Sequence, residues 1–582
     1  MPTQLQTDLV TFNMLVGDSS TLSAADEIPQ ELHVIDIRVE LAINKLPIAT
    51  FKIVDGTPYE QDFVLSNSGL FAPGKYIEIK LGYNNTNTTV FKGIVVANNH
   101  QVNGSSSFLQ VTCKHEAVKM TIGKKSRHYN EIKDSDVAEF LLAENNISDL
   151  DIQPSDVVHE QLLQTQVSDW DFMVSRLDVC GLACLIDGAK VIAKKPATAE
   201  EAVLKLTYGE NIYEFNAEID ARTQATEVNG HAWDYSIQDM ETVVANDTAD
   251  GYAGDSTPDE LAAIAGQPYE MRTPAYLPTQ ELQALVDAKK IRQSLSKIKG
   301  TVRFQGNVDV KPGSFIELAG VGDQFNGKIF VSAVIHQYGE GNWFAEATLG
   351  WEEAFFAEKI NVEAAFVHTG QCATMQGLQI GVVTDIIDPN GEDRIKICLP
   401  MINLNDEGVY ARIAVLDAGA GRGTFFRPEV GDEVVVGFMN NDVKHPVILG
   451  MLHSSAKPAP FVAEEANDTK GYVSRSEVKI TINDGEKSVT IETPGGRKLA
   501  MNDDAGTIEL EDPNGNKIVL DSEGILVEAA TNLTLKAGNS ISIQAAQLDV
   551  KADMSAKIAG GSALSIESSG IAEIKGSMVM IN

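Results

Sequence analysis

After Tyr472 the chain carries no further aromatic residue, no histidine and no cysteine, although Phe, Trp and Tyr make up 7% of the whole. From Thr531 to Asn582 proline is missing as well. These absences exclude a bulky core, a disulfide and a histidine-held metal from the final stretch. The five cysteines (Cys113, Cys180, Cys184, Cys372 and Cys398) are odd in number and scattered, which argues against a disulfide framework and for a reducing compartment. Cys180 and Cys184, in CGLAC, stand too far apart for a redox CxxC pair and read as small buried residues. Basic residues are few: 46 Lys and Arg face 82 Asp and Glu, a net charge of −36. Such a chain repels phosphate backbones and anionic headgroups, so nucleic acid is not an expected partner. No run approaches the ~18 apolar residues of a membrane-spanning helix. The start, MPTQLQTDLVTFNMLV, has no basic region ahead of an apolar stretch, so assembly in the cytoplasm without a signal peptide is expected.

Signatures of catalysis are missing too. There is no GxSxG, HExxH or P-loop, and no GxGxxG in a βαβ setting. No catalytic, cofactor-binding or metal-binding residue is expected, and the protein is expected not to be an enzyme. The ten histidines are dispersed. His445 and His453 lie close in sequence and near acids, and a structural or exposed role is expected for both. Tyr208–Glu270 holds fourteen acidic residues and one basic one, Arg222, and reads as a solvated acidic face.

What the tail does have is a rhythm of aliphatic pairs two residues apart. They are Ile508/Leu510, Ile518/Leu520, Ile525/Val527, Leu533/Leu535, Ile541/Ile543, Leu548/Val550, Ala556/Ile558, Leu564/Ile566, Ala572/Ile574 and Val579/Ile581. A separation of two puts both side chains on one face of a strand. Between the pairs come Gly, Ser, Asn, Asp and Lys, which suit corners. Each unit is thus a short strand and a corner, recurring every seven or eight residues after the first step. Two inward aliphatics contribute ~3–5 kcal/mol, against about 12 kcal/mol to order eight residues. The units therefore need stacking and a shared core. Two architectures fit: a single-chain β-solenoid, or an intertwined prism in which three chains supply one face each. The exclusion of aromatics favours the narrow three-fold prism. Its ten layers would make a rod on the order of 50 Å long. Its expected core comprises Ile525, Val527, Leu533, Leu535, Ile541, Ile543, Leu548, Val550, Ile558, Leu564, Ile566 and Ile574. Ahead of it, Val473–Glu523 reads as hairpins or a meander, with turns at Asn483–Gly485, Pro494–Gly496 and Pro513–Asn516.

From about Met375 to His453 the texture is that of a small Greek-key barrel of the OB type, with strands in GLQIGVVTDIID, RIKICLPM, VYARIAVLDAG, EVVVGFM and HPVILGML. Its aromatics are few and its charges mixed, which speaks against an oligonucleotide platform. GTFFRPEVGDEVVVGFMNNDVKHPVILGMLHSS (Gly423–Ser455) resembles the signature of the spike barrel in VgrG proteins and related phage-tail baseplate proteins. Arg427, Pro428, Gly431, Asp432, Glu433, Val434, Asp442, Pro446 and Gly450 carry the likeness. Where the family has Gly-Asp this chain has Asn441-Asp442, which still permits a tight turn.

The first two-thirds extends the resemblance. Two regions of alternating strands read as β-barrels, and each contains a related turn: Pro73-Gly74-Lys75-Tyr76-Ile77-Glu78 and Pro312-Gly313-Ser314-Phe315-Ile316-Glu317. Helices are expected at Asp134–Asn145 (Val137, Phe140, Leu141), after a Ser168 cap (Val167, Trp170, Val174, Leu177 on one face), and over Thr279–Lys297 (Leu282, Leu285, Ile291, Leu295). The Ser168 element is similar to a family motif through Asp169, Asp171, Phe172, Arg176, Leu177 and Gly181. The expected architecture is mainly β: residues 1–370 a hub of two β-barrels with inserted helices, 371–455 an OB-fold barrel, 456–472 a linker, and 473–582 a hairpin region leading into a trimeric intertwined β-helix.

The resemblance implies a homotrimeric hub–spike of a contractile injection machine. Such a spike caps an Hcp-like inner tube, meets baseplate or wedge proteins, adapts three-fold to six-fold symmetry, punctures a target envelope and is delivered outward with the particle, with effector cargo as a further partner. The apolar end, Met578, Val579, Met580, Ile581 and Asn582, would seat a separate PAAR-type tip protein, which would bring any zinc of its own. The competing readings are a β-solenoid adhesin and an envelope-degrading spike enzyme.

Overall fold

The computed structural model describes residues 9–22, 25–29, 31–104, 106–197, 199–234, 239–246, 253–264, 266–273, 277–360, 375, 377–400, 402 and 407–581. They fall into two compact units, Met1–His453 and Ser454–Asn582.

The first unit is built on a 13-stranded sheet. Its N-terminal strands are Val10–Gly17, Asp26–Glu27, Val34–Ala42, Ile48–Val54, Tyr76–Tyr83, Thr86–Asn103 and Ser106–Lys114. They surround a core that includes Met14, Ile37, Phe51, Phe71, Ile77 and Phe91. A second set (Leu204–Thr207, Ile212–Ile219, Ile298–Gln305, Phe315–Ala319, Gly327–Gly339 and Asn342–Leu349) has its own core around Val302, Phe304, Ile316, Val331 and Ala345. The two barrels read from the sequence are thus two strand sets with separate cores, joined in one sheet where Val34–Ala42 pairs antiparallel with Gly327–Gly339. Strands nearly 300 residues apart make that seam, as in the Arg38–Gln337 pair, so local pattern could not reveal it.

Two of the inserted helices pack a third core. Helix Asp134–Glu144 buries Val137 and Leu141. Its Phe140 instead lies half exposed beneath the Arg127 guanidinium, 5.7 Å from the ring centre. Helix Asp169–Val179 begins with the Ser168 hydroxyl accepting from the Asp171 amide at 3.1 Å. Of its residues all but Asp171 are buried, a broader contact than the single apolar face in the sequence suggests. Helix Thr279–Leu295 likewise buries Lys289, Lys290 and Arg292 along with Leu282, Leu285, Ile291 and Leu295.

A closed five-stranded barrel completes the first unit: Gln379–Asp385, Ile395–Cys398, Val409–Ile413, Pro446–Met451 and Glu433–Phe438, in spatial order. Val383, Ile395, Ile397, Val434, Val436 and Ile448 fill it, and the hub residue Leu163 packs into the same cluster. Asn440 and Asn441 both adopt left-handed backbone, with φ of 57° and 58°. Asparagine tolerates that conformation, which is how the chain makes the signature turn without the glycine.

The second unit opens with a seven-stranded antiparallel meander: Thr469–Val473, Lys479–Asn483, Ser488–Glu492, Lys498–Asn502, Thr507–Glu511, Lys517–Asp521 and Gly524–Glu528. Its first strand starts inside the span expected to be linker, because Lys470–Tyr472 pairs with Ile480–Ile482. Three of the ten aliphatic pairs, Ile508/Leu510, Ile518/Leu520 and Ile525/Val527, lie on meander strands that reverse at each turn. The octad part therefore holds seven pairs where ten were expected, and seven layers would make a rod on the order of 30 Å.

Candidate functional site

Register decides what the meander presents. One row across the sheet is Tyr472, Ile480, Ile491, Leu499, Leu510, Ile518 and Val527, and the neighbouring row on the same face is Lys470, Ile482, Val489, Met501, Ile508, Leu520 and Ile525. The opposite face runs Gly471, Thr481, Thr490, Ala500, Glu509, Val519 and Leu526. One face is thus almost wholly aliphatic, and within a single chain most of it is exposed to water. At about 25 cal/mol per Å² of apolar surface, covering such a face is a strong drive to associate.

Past Glu528 the chain is extended and bends at Ala530-Thr531, Gly538-Asn539, Ala546-Gln547, Asp553-Met554, Gly561-Ser562, Ser569-Gly570 and Ser577-Met578. None of the described residues 529–581 is paired in a strand within the chain, so one chain does not coil into a solenoid. The expected core residues are all laid open: Ile541 is 55% exposed and Ile543 67%, and Leu533, Leu535, Leu548, Val550, Ile558, Leu564, Ile566 and Ile574 are similar. Ile525 and Val527 are exposed too, on the last meander strand. Met578, Val579, Met580 and Ile581 are exposed at the end. Asn582 lies outside the described residues. Extended backbone with open hydrogen-bonding groups and an apolar pair per segment is the form of a strand awaiting partners.

A second feature, in the first unit, escaped the sequence reading. Asp134, His159 and Arg176 are buried together. Arg176 Nε donates to Asp134 Oδ1 at 2.6 Å, and His159 Nε2 lies 2.8 Å from Asp134 Oδ2. Glu281, on the long helix, stands 3.7 Å from Arg176 and 3.6 Å from His159, and accepts from Lys444 Nζ at 2.7 Å. Burial opposes charge on both carboxylates. Arg176, with His159, nevertheless holds Asp134 well below the usual carboxylate range, and Lys444 foremost does the same for Glu281. Burial, reinforced by the nearby Asp134, pushes the Cys180 thiol well up, and Sγ donates to Asp134 at 3.2 Å. Because Lys444 belongs to the barrel's signature turn, this buried chain of charges ties barrel to hub. Arg394 adds an outer contact to Glu160 at 3.4 Å.

Another buried ion group binds the hub to itself. Asp178 takes Arg292, Asn44 Nδ2 at 2.6 Å and the Phe356 amide at 2.7 Å. Arg292 stacks 4.0 Å from the Trp351 ring centre and donates to the carbonyls of Glu352 and Ala354, each at 2.8 Å.

The remaining sequence-flagged residues take structural places. Cys113, Cys180, Cys184 and Cys398 are buried, and Cys372 lies outside the described residues. Burial lowers the His445 pKa, while His453 is exposed. Asp169, from the family-like helix motif, accepts from Gln164 at 3.0 Å and pairs with Lys125. Among the described residues no group of three or more His, Cys, Asp or Glu is placed to hold a metal ion. No helix among them is long and apolar enough to cross a membrane.

Comparison with known proteins matches these parts in chain order. Residues 379–453 match the type VI secretion system/phage-baseplate injector OB domain, and 488–555 match the phage baseplate V C-terminal trimerisation domain. Residues 7–340, more than half the chain, match the Alg8 N-terminal domain. The chain belongs to the Alg8 N-terminal domain family. Among solved structures, the lidded Francisella PdpA–VgrG complex aligns with 90% of this chain and 80% of its own, at 10% identity and a TM-score of 0.53. The E. coli c3393 protein is a type VI secretion component similar in structure to the T4 bacteriophage tail proteins gp27 and gp5. It aligns with 73% of this chain and 98% of its own, at 12% identity and a TM-score of 0.45. The 43 kDa tail protein of prophage MuSo2 from Shewanella oneidensis covers 59% of this chain and 99% of itself, at 7% identity and a TM-score of 0.44. At such identities the likeness is one of fold. No curated protein matches the sequence.

Proposed function

We propose that this chain works as the VgrG-like hub–spike of a contractile injection machine, a homotrimer without enzymatic activity that caps the inner tube and punctures the target envelope. The observation that carries this reading is the tail: seven bends, spaced seven or eight residues apart, separate segments that each present an aliphatic pair and find no ladder within their own chain. Three copies would close those ladders around one dry axis of Ile, Leu, Val and Ala, with Leu533 to Ile574 inside. Continuous backbone pairing across three chains would resist axial load. Two related strand sets per chain make six in a trimer, which suits a three-fold spike docking on a six-fold tube. Met578 to Asn582 would seat a PAAR-type tip, and an inner-tube protein, baseplate proteins and effector cargo are the further partners. Static light scattering of the full chain tests the assembly: three copies of the 62.8 kDa chain give about 190 kDa, and a monomer at micromolar concentration overturns the reading.

A further inference from the structure

An asparagine followed by glycine is open to attack by its own backbone. With no β-carbon on the second residue, that residue's amide nitrogen reaches the asparagine Cγ. The chain holds five such pairs: Asn103-Gly104, Asn229-Gly230, Asn326-Gly327, Asn390-Gly391 and Asn514-Gly515. The fold restrains four of them. Gly391 N–H donates to the Asp388 carbonyl at 3.1 Å, and Gly515 N–H to the Asp512 carbonyl at 3.2 Å. An amide so engaged is held in place and gives up its proton less readily. Asn514 Nδ2 is tied to Asp512 as well, at 3.0 Å. Asn326 Oδ1 accepts from the Val321 amide at 3.0 Å, and Asn229 Nδ2 donates to Glu270 at 3.1 Å. Gly230 also lies on a central strand, with Val243 on one side and Met271 on the other.

Asn103 differs. It ends the long strand Thr86–Asn103 and pairs with Ser106, so Gly104 sits in the two-residue turn of an exposed hairpin. In a turn that tight, the amide after the last paired residue lies outside the ladder. Among the described residues neither that amide nor the Asn103 side chain has a hydrogen-bond partner. Gly104 has a φ of 60° and open space where a β-carbon would stand.

We infer that Asn103 is the asparagine the fold leaves open to spontaneous deamidation. The Gly104 nitrogen loses its proton to hydroxide and bonds to Asn103 Cγ. The side-chain nitrogen leaves as ammonia, taking a proton from water. A second water then opens the cyclic imide at either carbonyl, giving aspartate or isoaspartate. The change is large for this hairpin, because between Lys92 and Lys114 the chain has no Asp, Glu, Lys or Arg. Deamidation puts the first carboxylate on that arm, and isoaspartate adds a backbone atom at its turn.

The test holds the full chain in mildly alkaline buffer, native or in concentrated urea. Both samples are digested under acidic conditions, and peptide mass spectrometry follows the acid form of each of the five asparagines. In the native chain Asn103 is expected to convert about tenfold faster than Asn229, Asn326, Asn390 and Asn514, since misplacing a reacting pair costs up to about a hundredfold. In urea the five rates are expected to draw together. Ion exchange of the native chain should show a growing acidic satellite that Asn103→Gln abolishes. A native Asn103 that converts no faster than the other four, or a lead that persists unchanged in urea, overturns the inference, because the fold would then not select the site.

Discussion

The amides of Gly74 and Gly313 do the same thing in two places: Gly74 N–H donates to the Val95 carbonyl at 2.9 Å, and Gly313 N–H to the Val331 carbonyl at 2.8 Å. The return bonds match as well, from the Val95 amide to Lys75 and from the Val331 amide to Ser314. Both glycines have positive φ, 98° and 89°, and each feeds a strand whose isoleucine, Ile77 or Ile316, is fully buried. A duplication faint in sequence is thus a repeated hydrogen-bonded turn.

The two turns differ in room. A β-carbon on Gly74 meets nothing within 4 Å, whereas one on Gly313 would sit 2.9 Å from Leu185 Cδ2. Gly74→Ala should cost ~1 kcal/mol of backbone strain, and Gly313→Ala more. Differential scanning calorimetry should show the larger fall in melting temperature for Gly313→Ala. Equal shifts would contradict the steric difference.

Removing Lys444 leaves Glu281 buried against fewer cations. Lys444→Met should destabilise the first unit by about 3 kcal/mol. Adding Glu281→Gln should recover part of that, since the two share one interaction. Urea denaturation of the single and double variants checks this. Additive losses would mean that the pair does not couple barrel to hub.

Two buried histidines set an acid limb. Burial lowers His115 and His336 from 6.5 to about 4. Between those values the unfolded chain takes up protons that the folded one refuses, so stability should fall as pH drops from about 6.5 towards 4 and gain no further loss from these groups below that. Each contributes a slope of about 1.4 kcal/mol per pH unit. His336→Leu, beside Trp343, should flatten the melting temperature's dependence on pH in this window. An unchanged slope would count against a neutral, buried His336.

Asn441→Gly should leave the barrel turn intact, since the position is left-handed. Asn441→Val should destabilise it by ~1–2 kcal/mol, because a β-branched residue resists that backbone. Thermal melts of the two variants separate the outcomes.

The tail was legible because its period is short and its corners are chemically distinct. The Ser168 cap and the signature turn were legible for the same local reason. Arg176, Asp178, Arg292 and Lys289 were not. Charged residues on a helix read as its wet face, and partners distant in the sequence, such as Asp134 for Arg176 and Arg292 for Asp178, make their burial possible. The seam between Val34–Ala42 and Gly327–Gly339 and the reversal of the first three aliphatic pairs needed coordinates too.

The central claim is that the stretch after Glu528 is one third of a shared rod. Sedimentation velocity on the full chain carrying Ile541→Asp and Ile543→Asp tests it most directly, since six carboxylates would then crowd a dry axis. Trimer mass for the unsubstituted protein and a single-chain mass for the variant are expected; a variant that still sediments as the parent does would contradict the claim.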